Sequence, residues 1–169
     1  FCVLFILPPF HAPARSKTDS LTRLIYTEKD LAKKHALYLD RALTYSRNEL
    51  DKAYRDVEFA GKYFEGKRDF RALADYRLSL ADVYFLDRKY KKSLENDSLG
   101  LRLSDNTAYV KGKARALGNI ARELFLLGQY QEVAHCLEQA IALEKKMKPI
   151  DHGRLAELYN RMGIIKAAN

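Results

Sequence analysis

Apolar residues return along this chain at helical intervals, and then the whole set of them returns again. Between 113 and 146 the chain reads KARALGNIARELFLLGQYQEVAHCLEQAIALEKK. Leu117, Ile120, Ala121, Leu124 and Leu127 recur at spacings of three and four, which places them on one stripe of a helix. Gly128 interrupts the pattern, after which Tyr130, Val133, Leu137, Ala140, Ile141 and Leu143 form a second stripe. Two antiparallel helices joined by a tight turn follow from this. The small residues Ala121 and Ala140 allow neighbouring helices to approach closely. Ala121→Arg is therefore expected to unfold the chain, and Arg122→Ala to leave it folded.

Subtracting forty from these positions finds a second copy: Leu80, Ala81, Tyr84, Tyr90, Ser93, Gly100 and Leu101. It departs at Arg88, where the turn glycine is missing, and at Asp97, where an apolar residue is usual. A fainter copy precedes it, with Leu50, Ala53, Val57 and Ala60 on its second helix. Its first helix carries Ala36, Leu39 and Leu43, one residue out of register. A further copy opens in LAELYNRMGIIKAAN and the sequence stops inside it, so the chain reads as part of a longer protein. The predicted helices span about 28–47, 49–66, 68–87, 89–104, 107–127, 129–147 and 151–169. Paired, they give hairpins over 28–66, 68–105 and 107–147 and the first helix of another over 151–169. Thr27 and Asp30 have capping-box spacing, Asp151 is a cap candidate for the last helix, and Ser104 to Thr107 are expected to cap the helix that follows them.

Composition supports helix throughout. In 169 residues there are only 4 prolines and 8 glycines, and no strand-like alternation bounded by turn residues. The formal charge of +8 is spread evenly: 11 basic and 9 acidic side chains over 15–66, 10 and 7 over 67–112, 9 and 6 over 113–169. The densest clusters are Arg88, Lys89, Lys91, Lys92 and Lys145, Lys146, Lys148. A solvated surface of mixed charge explains this better than a nucleic-acid footprint.

The first residues read differently. Phe1 to Leu7 form an apolar run, followed by Pro8, Pro9 and the small-x-small pattern Ala12-Pro13-Ala14. Residues 1–14 are expected to be the remnant of a signal peptide cut after Ala14, with 15–27 as a linker, in preference to the alternative of a buried N-terminal strand or helix. The run is too short to span a bilayer. Export would leave Cys136 as the one cysteine of the mature chain, on the apolar side of its helix.

Leu117, Ile120, Ala121, Leu124, Gly128, Tyr130, Val133, Leu137 and Ala140 together resemble the tetratricopeptide repeat (TPR). The resemblance implies an all-α fold: a right-handed superhelical stack of antiparallel hairpins, an α-solenoid with a period of about 40 residues in place of the family's usual 34 or so. It also implies a concave face lined by the first helix of each pair. By register that face takes Leu78, Ser79, Asp82 and Phe85, then Gly118, Asn119, Arg122 and Phe125, then Asn160 and Arg161. Phe85 and Phe125, forty apart and off the packing stripe, would either anchor a protein or peptide ligand, with Asn119 and Arg122 adding polar contacts, or contact neighbouring helices inside a narrow superhelix. The family's carboxylate clamp does not fit: Asn119 and Arg161 occupy two of its five positions, but Leu78, Asp82 and Glu157 occupy the others.

Candidate chemistry is otherwise sparse. His11, His35, His135 and His152 are scattered, no group has metal-ligand spacing, and no phosphate loop or nucleophile elbow is present. No enzyme and no cofactor are expected in this region. An export signal, the SKTDSL start at Ser16 to Leu21 and 40-residue hairpins together resemble the periplasmic input regions of bacterial two-component sensor kinases and related regulators. The expectation is thus an exported, periplasmic interaction or sensory input domain. The alternatives are a freestanding scaffold, exported or cytoplasmic, and the docking arm of an enzyme.

Overall fold

The computed structural model describes residues 16–168; the expected signal-peptide remnant at 1–14 lies outside them. Among the described residues there are eight α-helices and no strand. They are α1 (Lys17–Thr27), α2 (Leu31–Ala42), α3 (Leu50–Glu65), α4 (Phe70–Leu86), α5 (Tyr90–Asn106), α6 (Val110–Leu126), α7 (Tyr130–Lys146) and α8 (His152–Ala168). A short 3-10 turn, Arg47–Glu49, leads into α3. Consecutive helices pack against one another, and α4 also touches both α2 and α6.

The regularity is closer than the apolar pattern alone suggests. Helices α3 to α7 begin at 50, 70, 90, 110 and 130, so the unit is a helix and its turn, twenty residues long. Three successive turns share one geometry. Arg88, Ala108 and Gly128 each take a left-handed backbone, with φ of 59°, 50° and 77°. After each, the next N–H donates to a carbonyl five residues back: Lys89 to Tyr84, Tyr109 to Ser104 and Gln129 to Leu124. This is the Schellman closure, which satisfies carbonyls the helix end leaves open. Only glycine adopts that backbone without cost, so the missing glycine at 88 changes the strain of the turn and leaves its shape alone.

Sequence expectation and structure part in four places. The stretch 15–27, expected as a linker, contains α1, which is capped by Ser16 and buries Leu21 and Ile25 against its neighbour. Helix α2 stops at Ala42 and does not run to 47, because Ser46 and Glu49 form a capping box that starts a new turn. Ser104, expected as a cap, is buried inside α5, and α6 begins at Val110 after Tyr109, with no side-chain cap. Asp151 does cap, accepting from the Arg154 amide, whereas the Thr27–Asp30 capping box does not form: Thr27 closes α1, and Asp30 itself caps α2, accepting from the Lys33 amide.

The core is in two pieces. One joins Leu39 and Ala42 of α2, Ala53, Val57, Ala60 and Phe64 of α3, and Tyr76, Leu80 and Val83 of α4. The other joins Leu117, Ile120, Ala121 and Leu124 of α6, Val133, Leu137, Ala140 and Ile141 of α7, and Leu158, Met162 and Ile165 of α8. Each fully buried leucine in them contributes roughly 2–3 kcal/mol. Helix α5 lies between, and what it buries is Ser93, Asn96, Asp97, Gly100 and Ser104. It supplies no fully buried apolar side chain to either cluster. The forty-residue register makes the substitution plain: Val57, Asp97 and Leu137 are equivalent and each is 0% exposed.

The turns give a direct check. Gly128→Ala should lower stability by about 1 kcal/mol and Arg88→Gly should raise it by a similar amount, read as opposite shifts of the urea midpoint. Shifts of the same sign would show that the two turns do not bear the same strain.

Candidate functional site

The even-numbered helices lie side by side and define the candidate face. Helix α4 meets α2 and α6 directly. Helix α8 reaches α6 through Arg154, which donates to the Arg115 carbonyl at 3.1 Å, and Arg161, which donates to the Gly118 carbonyl at 2.8 Å. Leu158 lies over Gly118, where no side chain intervenes.

Two recesses open along this face. A groove of about 780 Å³ is lined by Asp40 of α2, Asp75 and Ser79 of α4, Tyr109 before α6, Lys111 and Arg115 of α6, Arg154 of α8 and the loop Met147–Asp151. Tyr109 donates to Asp75 at 3.0 Å. Burial raises the Asp75 carboxyl above the ordinary range, with that hydrogen bond and Arg115 opposing it, and pushes the Tyr109 phenol up to about 12. Asp40, Lys111, Lys148 and Asp151 of its lining are exposed. The second recess, a cleft of about 240 Å³, is lined by Phe85, Arg122, Phe125, Leu126, Val133, Leu137, Arg161, Ile164 and Ile165, and its surface is almost wholly apolar.

The structure brings four of the expected face residues into that cleft: Phe85, Arg122, Phe125 and Arg161. The Arg122 guanidinium lies over Phe85, 3.5 Å from the ring centroid. Ser79 lines the groove but is almost fully buried, its hydroxyl meeting Arg115 at 3.3 Å. Asn119 is buried beneath the face, and Asn160 is exposed. Leu78 is a correction. It is 0% exposed and packs over Gly100 of α5, where an added Cβ would stand 2.6 Å from its Cδ2, so it belongs to the helix contact and cannot touch a ligand. Arg115, Asp75 and Lys111, which the register argument missed, supply much of the groove. Their side chains lie nearer the helix starts than the residues chosen.

Beneath the face runs a polar network joining α4, α5 and α6. Asp82 accepts from Arg115 at 2.7 Å, from Arg122 at 3.2 Å and from Asn119 at 3.2 Å. Asn119 also donates to Asp97 at 3.1 Å, and Arg122 donates to Glu123 at 2.9 Å. The Ser93 hydroxyl lies 2.8 Å from the Ala81 carbonyl and 3.0 Å from Glu123 Oε1. Asp97 and Glu123 are both 0% exposed. Burial first, then the neighbouring Glu123 and Asp82 charges, hold the Asp97 carboxyl well above the usual carboxylate range. Burial also raises Glu123, with Arg122 opposing. Because Arg122 balances a buried carboxylate, removing it is costlier than the apolar pattern suggested.

Among the described residues no group of His, Cys, Asp and Glu is placed to hold a metal ion, and no helix is long and apolar enough to cross a membrane. Cys136 is half-buried, and burial raises its thiol, which favours the protonated, unreactive form. No family model matches the chain, and no curated protein or solved structure does.

The network can be dissected by copying the preceding layer, which has Val57 and Val83 where this one has Asp97 and Glu123. Asp97→Val or Glu123→Val alone should cost about 3 kcal/mol by urea unfolding, since each strands a buried polar partner. The double variant should cost markedly less than the sum. Simple additivity would show that the two carboxyls do not depend on each other.

Proposed function

We propose that this chain is a protein-interaction or sensory input domain built of TPR-like hairpins in a right-handed superhelical stack. Its concave face receives a protein or peptide segment. The observation that carries this reading is the groove that crosses the even-numbered helices, charged on its walls, together with an apolar cleft on the same helices whose Arg122 shares Asp82 with the groove's Arg115. Supporting it are the twenty-residue spacing of helix starts and the side-by-side contacts of α2, α4 and α6, as expected where each unit contacts only near neighbours.

An extended partner would place an apolar side chain between Phe85, Phe125 and Ile164, where burial supplies affinity. Its polar flank would meet Asp40, Lys111, Lys148 and Asp151, the exposed charges of the groove. The other charges are already engaged within the protein: Arg115 with Asp82, Arg154 with Glu144 and Arg161 with Glu157. Binding, not catalysis, is the role assigned, with no cofactor and no nucleic-acid partner.

The export pattern at 1–14 and the hairpin array together support placement in the periplasm, as the input region of a larger signalling protein. A freestanding TPR scaffold, exported or cytoplasmic, is the second reading, and the same groove would serve it.

Peptides selected from a random library against the purified chain test the groove. Their binding should weaken by about tenfold on Lys111→Glu or Asp40→Lys, with circular dichroism unchanged. Selected peptides indifferent to both substitutions would contradict it.

A further inference from the structure

The Asp97–Glu123 pair does something that a merely structural polar contact would not. Each carboxyl has one oxygen served by a donor. Asp97 Oδ1 accepts from Asn119, and Glu123 Oε1 accepts from Arg122. The remaining oxygens, Asp97 Oδ2 and Glu123 Oε2, are buried and find no donor among the described residues. Two deprotonated carboxylates cannot satisfy each other, whereas a carboxylic acid and a carboxylate can.

Charge counting leads to the same place. The elements packed on α5 are α4 and α6. The charged groups they turn toward Asp97 are Asp82 from α4, and Arg115, Arg122 and Glu123 from α6. Two guanidiniums face three carboxyls. One proton makes the cluster neutral, and without it the surplus negative charge falls on Asp97 and Glu123, the two members that are 0% exposed.

We propose that Asp97 and Glu123 hold one proton between their two carboxyls in the folded protein, and that the seam between α5 and α6 is thereby a pH-sensitive joint that weakens as pH rises. The proton leaves to solvent when the seam opens and returns when it closes. The sign follows from where the proton resides. An opened seam exposes ordinary carboxyls that have lost their protons, while the closed seam still binds one, so rising pH favours opening. The joint sits between the two apolar clusters, where α5 offers neither of them a fully buried apolar side chain. Loosening it alters how the two halves of the candidate face are held, whatever ligand the groove takes.

Infrared spectroscopy of the whole chain tests the proton directly, and amide hydrogen exchange tests the joint. A carboxylic-acid carbonyl band should persist at neutral pH and vanish in both Asp97→Asn and Glu123→Gln, whose amides can donate in place of the proton. The opening constant of α5 and α6 amides, corrected for intrinsic exchange, should rise by up to about tenfold per pH unit between the ordinary carboxylate range and the titration of that band. In Asp97→Asn it should stay level. Absence of the band at neutral pH, its survival in both variants, or equal pH dependence of opening in wild type and Asp97→Asn would each overturn the proposal.

Discussion

No helix of this chain can bury its apolar stripe alone, and that constraint organises everything else. Each stripe is covered by the helix before it, the helix after it, or the one two places away. Such cover works only if the elements arrive at constant separation. The shared turn delivers this: a left-handed residue at 88, 108 and 128 reverses the chain the same way each time, whether that residue is Arg, Ala or Gly. Length of helix, shape of turn and depth of burial are thus one requirement seen three ways.

Helix α5 is where the requirement is met by other means. Its neighbours bury Leu and Val; it buries Ser93, Asp97 and a glycine. An apolar contact is tolerant of small displacements, but a network of Asp82, Arg115, Asn119, Arg122 and Glu123 is satisfied in one arrangement only. The middle of the array is held by geometry where its ends are held by burial. The same network lies just beneath the face on which the groove and the cleft open, and Arg122 belongs to both, balancing Glu123 on one side and covering Phe85 on the other.

Much of the fold was legible in the order of residues. The helices from 70 to 146 were predicted to within three residues at each end, because large, small and aromatic positions repeat there with little noise. Helix α1 was not, since Lys17 to Thr27 offers mainly Leu21, Leu24 and Ile25 and adjoins a stretch that reads as a processing signal. The end of α2 was misplaced because the Ser46–Glu49 box interrupts a pattern that apolar spacing alone would continue. The site was less legible. Asp97 stood out as a departure, but its partners Asn119 and Glu123 lie on another helix, and only the packing of α5 on α6 brings them together. Leu78 fell on the expected face by count, yet Gly100 opens a space beneath it that draws it inward.

Neighbour-only support is the central claim, and native-state hydrogen exchange of Val57→Ala tests it most directly. Val57 is fully buried in the cluster of α2, α3 and α4. Amide protection should fall in those three helices and remain unchanged in α7 and α8. A uniform loss of protection from α1 to α8 would mean that the chain folds as one indivisible globule, and the account given of it would be wrong.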